Sequence, residues 1–408
     1  MNGKIVFVIG GDYEQELYSI NPDGSAMQRL TPADGIPDDH PVWSPDGRRI
    51  AWIHGEQLLY VAAADGVGAR TVGNPVEDVA PAWSPDGRYL YEVGEGATDN
   101  FRRHTVYRLD VQHQRTIELT PASESDAYAL GDPFGLVSMP DGSLLVLTSI
   151  AACDGISNGV LSQCNAVLHV GPDGSLLQTL WLYDGLRDYD SASAAPVGDV
   201  FATGLLSRDG LENTTGAQLT LLGLNGVARS TVTPPIANTY DFDPAFSPDG
   251  RQLIFVRDVE DGQLRSLASD LYLVSSGGGQ PRPLTHTAGV FESVPSWQSQ
   301  PSALGRADLT PPVVRLRPQT VHAGRVARLA FRISDAGTGR SRELGAIYDG
   351  RREIASWYGR TFTDSSGGGV HLWRVPLRLA GRPLRYCTSA SDWYGNRSKD
   401  ACTTLHVR

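Results

Sequence analysis

Short runs of alternating apolar and polar residues, separated by turn sequences, extend along almost the whole chain. Runs of this kind, rich in β-branched and aromatic residues and bounded by Gly, Pro, Asn and Asp, indicate β-strands. Glu16–Ile20 and Asp270–Val274 are two examples. The pattern predicts an all-β protein built from many short strands.

One motif recurs six times along this pattern. It consists of a short apolar strand, the turn Ser-Pro-Asp-Gly and a second strand, with proline presetting φ and glycine accepting positive φ. Two more strands follow, and the last ends in Leu-Thr, so that each repeat describes one four-stranded blade of a β-propeller. The clear copies begin at Pro41, Pro81 and Pro244, weaker copies at Leu136 and Ala195, and a truncated copy at Val294.

The Pro-x-Trp-Ser-Pro-Asp-Gly element, the Leu-Tyr strand and the Leu-Thr ending resemble the WD-like repeats of TolB-like propellers. The resemblance covers residues 1–300 and implies a six-bladed β-propeller. Propellers of prolyl peptidases and tricorn-like proteins share these repeats, so the resemblance implies a fold more firmly than a function. TolB proteins also carry an α/β domain before the propeller, which this sequence does not show.

The two ends of the repeat array complement each other. Residues 3–7 align with a second strand, at 47–51, whereas the last copy, Val294–Gln298, supplies only a first strand. We therefore expect one blade to combine a strand from the end of the array with three from its start. Such closure leaves no open sheet edge between the first and last blades.

A different pattern follows the propeller. We assign 301–309 to a linker and 310–408 to an immunoglobulin-like β-sandwich, because about seven short strands fit that fold. The segment 390–398 resembles the Asp-x-x-Gly-Asn hairpin of bacterial Ig-like modules. The strand candidates are Val313–Arg317, Arg325–Ile333, Glu343–Asp349, Arg351–Ser356, Val370–Leu377, Leu384–Ser391 and Ala401–Val407.

The four cysteines form two pairs, each symmetric about a turn. Cys153 and Cys164 flank Asn158-Gly159, a favoured two-residue hairpin turn, and Cys387 and Cys402 flank the turn at 392–396. Cysteines that face each other across a hairpin are close enough for a disulfide, and packed thiols are the alternative. Two disulfides indicate a bacterial protein exported to the periplasm or beyond the cell.

Charge and hydropathy narrow the range of partners. The net charge of −11 argues against nucleic acid, whose phosphates attract basic surfaces. No apolar run is long enough to span a membrane, and Ile5–Ile9 is too short for a signal sequence, so an exported form would have lost its leader before residue 1. We expect a protein or peptide partner and an association with the cell envelope.

An acidic residue precedes the innermost strand of each predicted blade. Because innermost strands line the central channel, these carboxylates are predicted to ring its upper mouth, among long, varied loops that suit binding. Such a ring would attract a divalent cation such as calcium or a basic peptide; local turn capping is the alternative for each residue. The six residues are Asp39, Asp78, Asp132, Asp190, Asp241 and Glu292.

Motifs for catalysis are missing from the sequence. It contains no Gly-x-Ser-x-Gly elbow and no phosphate loop, and the cysteines lack zinc-ligand spacing. We assign no catalytic residue and no cofactor other than the cation that the acidic ring would hold. The favoured function is non-enzymatic binding or scaffolding on the loop-rich face of the propeller. The alternative is a carbohydrate-active lyase or glycosidase, since paired carboxylates distant in sequence leave no motif.

Overall fold

The chain forms two compact units, Met1–Arg306 and Ala307–Arg408. The computed structural model describes residues 2–10, 15–55, 57–95, 104–119, 132–150, 156–157, 160–161, 164–171, 174–181, 187–196, 198–208, 214–260, 266–287, 289–299, 312–334, 340–350, 352–358, 363–364, 368–392 and 398–408.

The described residues of the first unit form 26 strands. In chain order, the first thirteen are β1 Ile5–Ile9, β2 Glu16–Ile20, β3 Gln28–Arg29, β4 Asp38–Trp43, β5 Arg49–His54, β6 Leu58–Ala63, β7 Arg70–Thr71, β8 Ala82–Trp83, β9 Tyr89–Glu95, β10 His104–Asp110, β11 Arg115–Glu118, β12 Asp132–Ser138 and β13 Leu144–Ile150. The remaining thirteen are β14 Ile156–Ser157, β15 Val160–Leu161, β16 Cys164–Val170, β17 Leu176–Trp181, β18 Arg187–Ala194, β19 Val200–Arg208, β20 Thr214–Gly223, β21 Ala228–Thr231, β22 Thr239–Phe246, β23 Gln252–Glu260, β24 Ser266–Ser275, β25 Arg282–Pro283 and β26 Glu292–Trp297.

These strands form six four-stranded antiparallel sheets, the blades of the predicted propeller. From the innermost strand outward, the blades are β26-β1-β2-β3, β4 to β7, β8 to β11, β12-β13-β16-β17, β18 to β21 and β22 to β25. One parallel pair, Ala217 with Tyr240, links the fifth and sixth blades. The small ribbon β14-β15 stands outside the blades. The all-β, six-bladed architecture predicted from the repeats is confirmed.

The Ser-Pro-Asp-Gly turns are stabilised by their own side chains. In the second blade the hydroxyl of Ser44 donates to Asp46 Oδ1 at 2.6 Å, and the same carboxylate oxygen accepts from the backbone N–H of Arg48. Gly47 takes a φ of 66° and donates its N–H to the carbonyl of Ser44. The turns at Ser84 and Ser247 repeat the serine–aspartate bond at 2.6 and 2.7 Å. The repeated sequence therefore encodes a repeated set of hydrogen bonds.

The threonine that follows the outermost strand in three of the blades, after Leu30, Val232 and Leu284, has an equally local role. Its hydroxyl accepts the backbone N–H of a residue in the third strand of the same blade, which ties the outermost strand to its neighbour. The three bonds are Leu17 N–H to Thr31 at 3.0 Å, Leu219 N–H to Thr233 at 2.9 Å and Leu271 N–H to Thr285 at 2.8 Å.

The first blade closes the ring as predicted from the sequence. β1 pairs with β26, with Ile5 opposite Trp297 and Val6 opposite Ser296. The Trp297 indole N–H donates to the carbonyl of Gly3 at 3.2 Å. A Cβ on Gly3 would lie 2.8 Å from the Gln298 Cβ and 2.9 Å from its backbone oxygen. Glycine is therefore required where the two ends of the array meet.

A buried carboxyl group lies between the second and third blades. Glu92 on β9 is 2% exposed, and its Oε2 has no hydrogen-bond partner in the described part of the chain. Its carboxyl oxygens face Gly73 of the second blade, where an added Cβ would come within 3.2 Å. Burial raises the pKa of Glu92 to about 8, so the group is protonated at neutral pH.

The second unit contains two sheets and one short 3-10 turn, Leu377–Leu379. One sheet has the order β27-β29-β33, and the other β28-β35-β34-β30-β31 with β32 beside β30. The strands are β27 Val313–Arg315, β28 Gln319–Val321, β29 Val326–Ser334, β30 Arg340–Asp349, β31 Arg352–Tyr358, β32 Thr363–Asp364, β33 Gly368–Arg374, β34 Pro383–Asp392 and β35 Ala401–Val407.

The two sheets of this unit share one core. Leu329 comes from the first sheet, Tyr386 and Leu405 from the second, and all three are fully buried in the same cluster. The unit is therefore a β-sandwich, and all seven predicted strands are present. Its relation to Ig-like modules stays a prediction.

The two predicted disulfides have different outcomes. Cys387 and Cys402 are register partners on β34 and β35 and form a disulfide, as predicted. The ribbon β14-β15 flanks Asn158-Gly159 with Ser157 opposite Val160, as a two-residue hairpin requires. Cys153 lies outside the described residues, so its bond to Cys164 stays a prediction.

The first testable prediction concerns ring closure. Gly3→Ala places a methyl group against the Gln298 backbone, so the propeller should unfold at a lower temperature, with a loss of about 1–3 kcal/mol. Gly277→Ala is the matched control, because its nearest contact is Ser275 Oγ at 3.6 Å. Thermal unfolding followed by circular dichroism measures both variants. Equal melting temperatures for the two would contradict the role of Gly3.

The second concerns Glu92. Because the folded-state pKa of about 8 exceeds the unfolded value near 4.5, the folded protein binds the extra proton between these pH values. The free energy of unfolding should fall as pH rises through this window, with this group contributing up to about 1.4 kcal/mol per pH unit. When it is measured by urea unfolding, the free energy of unfolding of Glu92→Gln should fall less steeply with pH than that of the wild type. Glu118→Gln, an exposed control in the same blade, should keep the wild-type slope.

The third concerns the disulfide of the second unit. Cys387→Ala with Cys402→Ala should lower the stability of this unit by about 3 kcal/mol, because the bridge restricts the unfolded chain. Calorimetry of the full chain, with and without reductant, measures the loss. Reductant should lower the transition of the second unit in the wild type and leave that transition unchanged in the double variant. A wild-type transition that does not respond to reductant would refute the bridge's contribution.

Candidate functional site

The innermost strands of the six blades enclose a central cavity of about 420 Å³. Most of its wall is apolar and includes Trp43, Trp83 and Phe134. Its polar side chains are His40, Ser138, Ser191, Ser193, Asp243 and Ser296. A concave apolar wall with a few convergent polar groups is the usual form of a ligand site. We therefore take this cavity as the candidate functional site.

Six equivalent positions, one per blade, line the cavity at the same level. In the second blade this position lies four residues before Ser44, the serine of the Ser-Pro-Asp-Gly turn. In the other blades it lies four residues before the residue equivalent to Ser44. We call these positions the channel ring; they are His40, Ala80, Gly135, Ser191, Asp243 and Val294.

The backbone is strained at three positions of the channel ring. His40, Asp243 and Val294 have φ values of 53°, 46° and 42°, and each is followed by proline. Positive φ costs a non-glycine residue on the order of 1 kcal/mol, and proline further restricts the residue before it. The pairing register shifts at each of these points, so a β-bulge turns the side chain from the sheet.

Asp243 connects three neighbouring blades across the cavity wall. Its carboxylate Oδ2 accepts the backbone N–H of Val294 at 3.1 Å, and its own N–H donates to the hydroxyl of Ser191 at 2.8 Å. Burial raises the pKa of Asp243, while the bond from Val294 and the charge of His40 act in the opposite direction. This carboxylate is therefore held in place at the cavity surface by backbone and hydroxyl groups.

Two serines join blades at the next level of the channel. Ser193 accepts the backbone N–H of Phe246 at 3.2 Å, and Ser296 accepts that of Trp43 at 3.1 Å. Each bond runs from one blade to the next. The polar groups of the cavity thus also fix the relative positions of the blades that form it.

His40 lies between carboxylates. Its Nε2 is 3.5 Å from Asp78 Oδ1 and its Nδ1 is 4.0 Å from Asp39 Oδ1, and among the described residues Nδ1 has no hydrogen-bond partner. The Asp78 side chain is 60% exposed, whereas that of Asp39 is 21% exposed. One side of the channel ring therefore combines an imidazole with two acidic groups, of which Asp78 is exposed to solvent.

Two of the six carboxylates in the predicted acidic ring do not face the channel. Asp241 and Glu292 are 1% and 0% exposed and do not line the cavity. Both oxygens of Asp241 bond Arg257, at 2.7 and 2.8 Å. Glu292 accepts from the hydroxyl of Thr285 at 2.5 Å, and its pKa is raised by burial. These two carboxylates hold strands together instead of facing the channel.

In the second blade the predicted ring residue, Asp39, is adjacent to the residue that occupies the register position of Asp241. The residue equivalent to Asp241 is Asp38. In both strands the last aromatic residue, Phe246 or Trp43, has a pairing partner on the next strand, and the aspartate lies opposite the residue four positions after that partner. Asp38 is 1% exposed and accepts from Trp52 Nε1 at 2.7 Å, with His54 Nδ1 at 2.8 Å. The side chains of Asp132 and Asp190 lie outside the described residues. A ligand role for the six predicted carboxylates stays a prediction.

Much of the predicted loop-rich face also lies outside the described residues, which omit 96–103, 151–155, 209–213 and 261–265 among others. Within the described part of the chain, no three His, Cys, Asp or Glu side chains are grouped so as to hold a metal ion. No helix there is long and apolar enough to cross a membrane.

No family model and no curated protein sequence matches this chain. Among solved structures, it is similar to an oligogalacturonate lyase from Vibrio parahaemolyticus, with 12% identity, a TM-score of 0.43, and coverage of 69% of this chain and 73% of the other. It is similar to a GH74 enzyme from Niastella koreensis, with 10% identity, a TM-score of 0.41, and coverage of 95% and 70%. A gluconolactonase from Xanthomonas campestris gives 17% identity, a TM-score of 0.40, and coverage of 61% and 78%.

The sequence reasoning missed the polar members of the channel ring. His40, Ser191 and Asp243 are not among the residues that the sequence analysis assigns to the channel. A recognisable pattern was present, because four of the six ring residues directly precede the proline of the inner strand. These are His40, Ala80, Asp243 and Val294.

Proposed function

We propose that this protein is a non-enzymatic binding protein that accepts a basic side chain of a protein or peptide partner into the central cavity. The observation that carries the proposal is the wall composition. Among the described lining residues, one carboxylate, Asp243, is accompanied by His40 and by no lysine or arginine. A carboxylate in an apolar wall that lacks a lysine or arginine partner favours a cationic guest.

The shape of the cavity suits a lysine or arginine side chain. Its apolar wall, which includes Trp43 and Leu136, would cover the aliphatic stem, and Asp243 would pair with the charged end. Asp39 and Asp78 add negative potential beside His40, which would draw a basic partner toward the opening. The strained, inter-bonded channel ring keeps these groups in place before the partner arrives.

The disulfide supports the proposed location. Cys387–Cys402 would persist in an oxidising compartment, which supports a periplasmic or extracellular protein. A carbohydrate-active enzyme is the alternative that the experiment must separate from binding.

The fourth prediction tests the cavity with two short capped peptides that differ only in a central arginine or glutamine. The arginine peptide should raise the melting temperature and change the tryptophan fluorescence, since Trp43 and Trp83 line the site. Asp243→Asn should weaken binding at least about tenfold, because the ion pair is lost while an acceptor for Val294 remains. Asp65→Asn, in an exposed turn, is the equal-charge control.

Binding should also weaken as pH falls, because protonation of Asp243 competes with the cationic guest, and this dependence should disappear in Asp243→Asn. Equal affinity for both peptides, or wild-type affinity in Asp243→Asn, would disprove the proposal. Production of new sugar ends from pectic or glucan oligosaccharides, lost in Asp243→Asn, would replace it with the enzymatic alternative.

A further inference from the structure

The two units of the chain carry opposite charge. Residues 307–408 contain 17 lysines and arginines and 8 aspartates and glutamates, which gives +9. Residues 1–306 contain 18 lysines and arginines and 38 aspartates and glutamates, which gives a net charge of −20. The net charges of the two units add to the −11 of the whole chain. The net charge of the whole chain is therefore negative because the propeller is strongly acidic, although the second unit is strongly basic. This asymmetry indicates a partner of its own for the second unit.

Four of these 17 basic residues lie together on one face of the three-stranded sheet β27-β29-β33. Residues alternate along each strand, so that Val314, Leu329 and Ile333 are buried while their neighbours point outward. The outward face, which we call the basic face, carries the exposed residues Val313, Arg315, Val326, Arg328, Ala330, Arg332, Ser334, Val370, Leu372 and Arg374.

The arginines of the basic face have no acidic partner among the described residues. Arg315 and Arg332 are direct cross-strand partners, an arrangement in which like charges repel each other. None of the four arginines forms an ion pair with another described residue, and the outward positions of these strands include no acidic residue. An external anion would relieve this repulsion.

Aliphatic side chains are interleaved with these arginines. Leu372 is paired with Arg328, and Val326 with Arg374. Leu372 is 59% exposed, Val313 52%, Val326 51% and Val370 45%. Exposed aliphatic residues that cluster on one face usually mark an interaction surface. A soluble polyanion would satisfy the charges but leave these side chains in water.

We propose that the basic face docks on a lipid bilayer that contains anionic phospholipids. The phosphate groups would accept the guanidinium N–H groups in pairs, and the valine and leucine side chains would enter the boundary between headgroups and acyl chains. This occupant complements both the charge and the apolar area of the face. Each arginine near an anionic membrane surface strengthens binding about fivefold, and salt weakens this contribution.

The fifth prediction is tested with the full chain and with vesicles of phosphatidylcholine, with or without phosphatidylglycerol. The protein should sediment with the phosphatidylglycerol vesicles at low salt and much less with phosphatidylcholine alone. Arg315→Gln with Arg332→Gln should weaken this binding about 25-fold. The matched control is Arg385→Gln with Arg408→Gln, which removes the same charge from exposed positions outside the basic face and should bind like the wild type.

The variant Leu372→Ser distinguishes binding to a membrane from binding to a soluble polyanion. It should weaken binding to vesicles and leave binding to heparin unchanged. The proposal is overturned if both kinds of vesicle bind equally, if the two arginine pairs have the same effect, or if Leu372→Ser leaves vesicle binding intact. It is also overturned if the vesicles do not bind and ultracentrifugation shows self-association that Arg315→Gln with Arg332→Gln abolishes. Circular dichroism checks that each variant is folded, and none of these results depends on the peptide-binding proposal.

Discussion

Pairing of the first strand with the last is the constraint on which the propeller depends. β1 lies between β26 and β2, and its Ile5, Val6, Phe7 and Val8 are fully buried. Without this pairing the first blade would lose its innermost strand, and a sheet edge would remain open in the ring. The same closure completes the channel, because β26 supplies Val294 to the channel ring and Ser296 to the bond with Trp43. Fold and candidate site therefore depend on one set of contacts.

The repeat made much of the fold predictable, because it acts locally. Ser44 and Asp46 form the turn by themselves, and Thr31 bonds a strand only 14 residues away, so the same letters specify the same geometry in each blade. Ring closure and the Cys387–Cys402 bridge were also predictable, from the phase of the repeat and from symmetry about a turn. These features require no knowledge of how the blades are packed.

The candidate site was less predictable, because its properties depend on contacts between blades. Asp38 and Asp39 are adjacent in sequence, and only the bulge in β4 determines which of them is buried. Asp241 precedes a predicted innermost strand as the pattern requires, but both of its oxygens accept hydrogen bonds from Arg257, which the sequence does not reveal. The charge of the second unit was readable in the sequence but was concealed by the larger opposite charge of the propeller. A total charge describes neither unit.

Closure of the ring also has a consequence for biosynthesis. Lys4 and Gln298, which bond each other, are separated by 294 positions. At the usual rate of translation, roughly 15 to 60 seconds pass between the synthesis of β1 and that of its partner β26. During this time a wholly apolar strand has no innermost neighbour, which makes it a target for chaperones or for mispairing with another nascent chain. The slow step in producing this protein is therefore expected to be the synthesis of β26, and faster folding of the rest of the first blade would not shorten it.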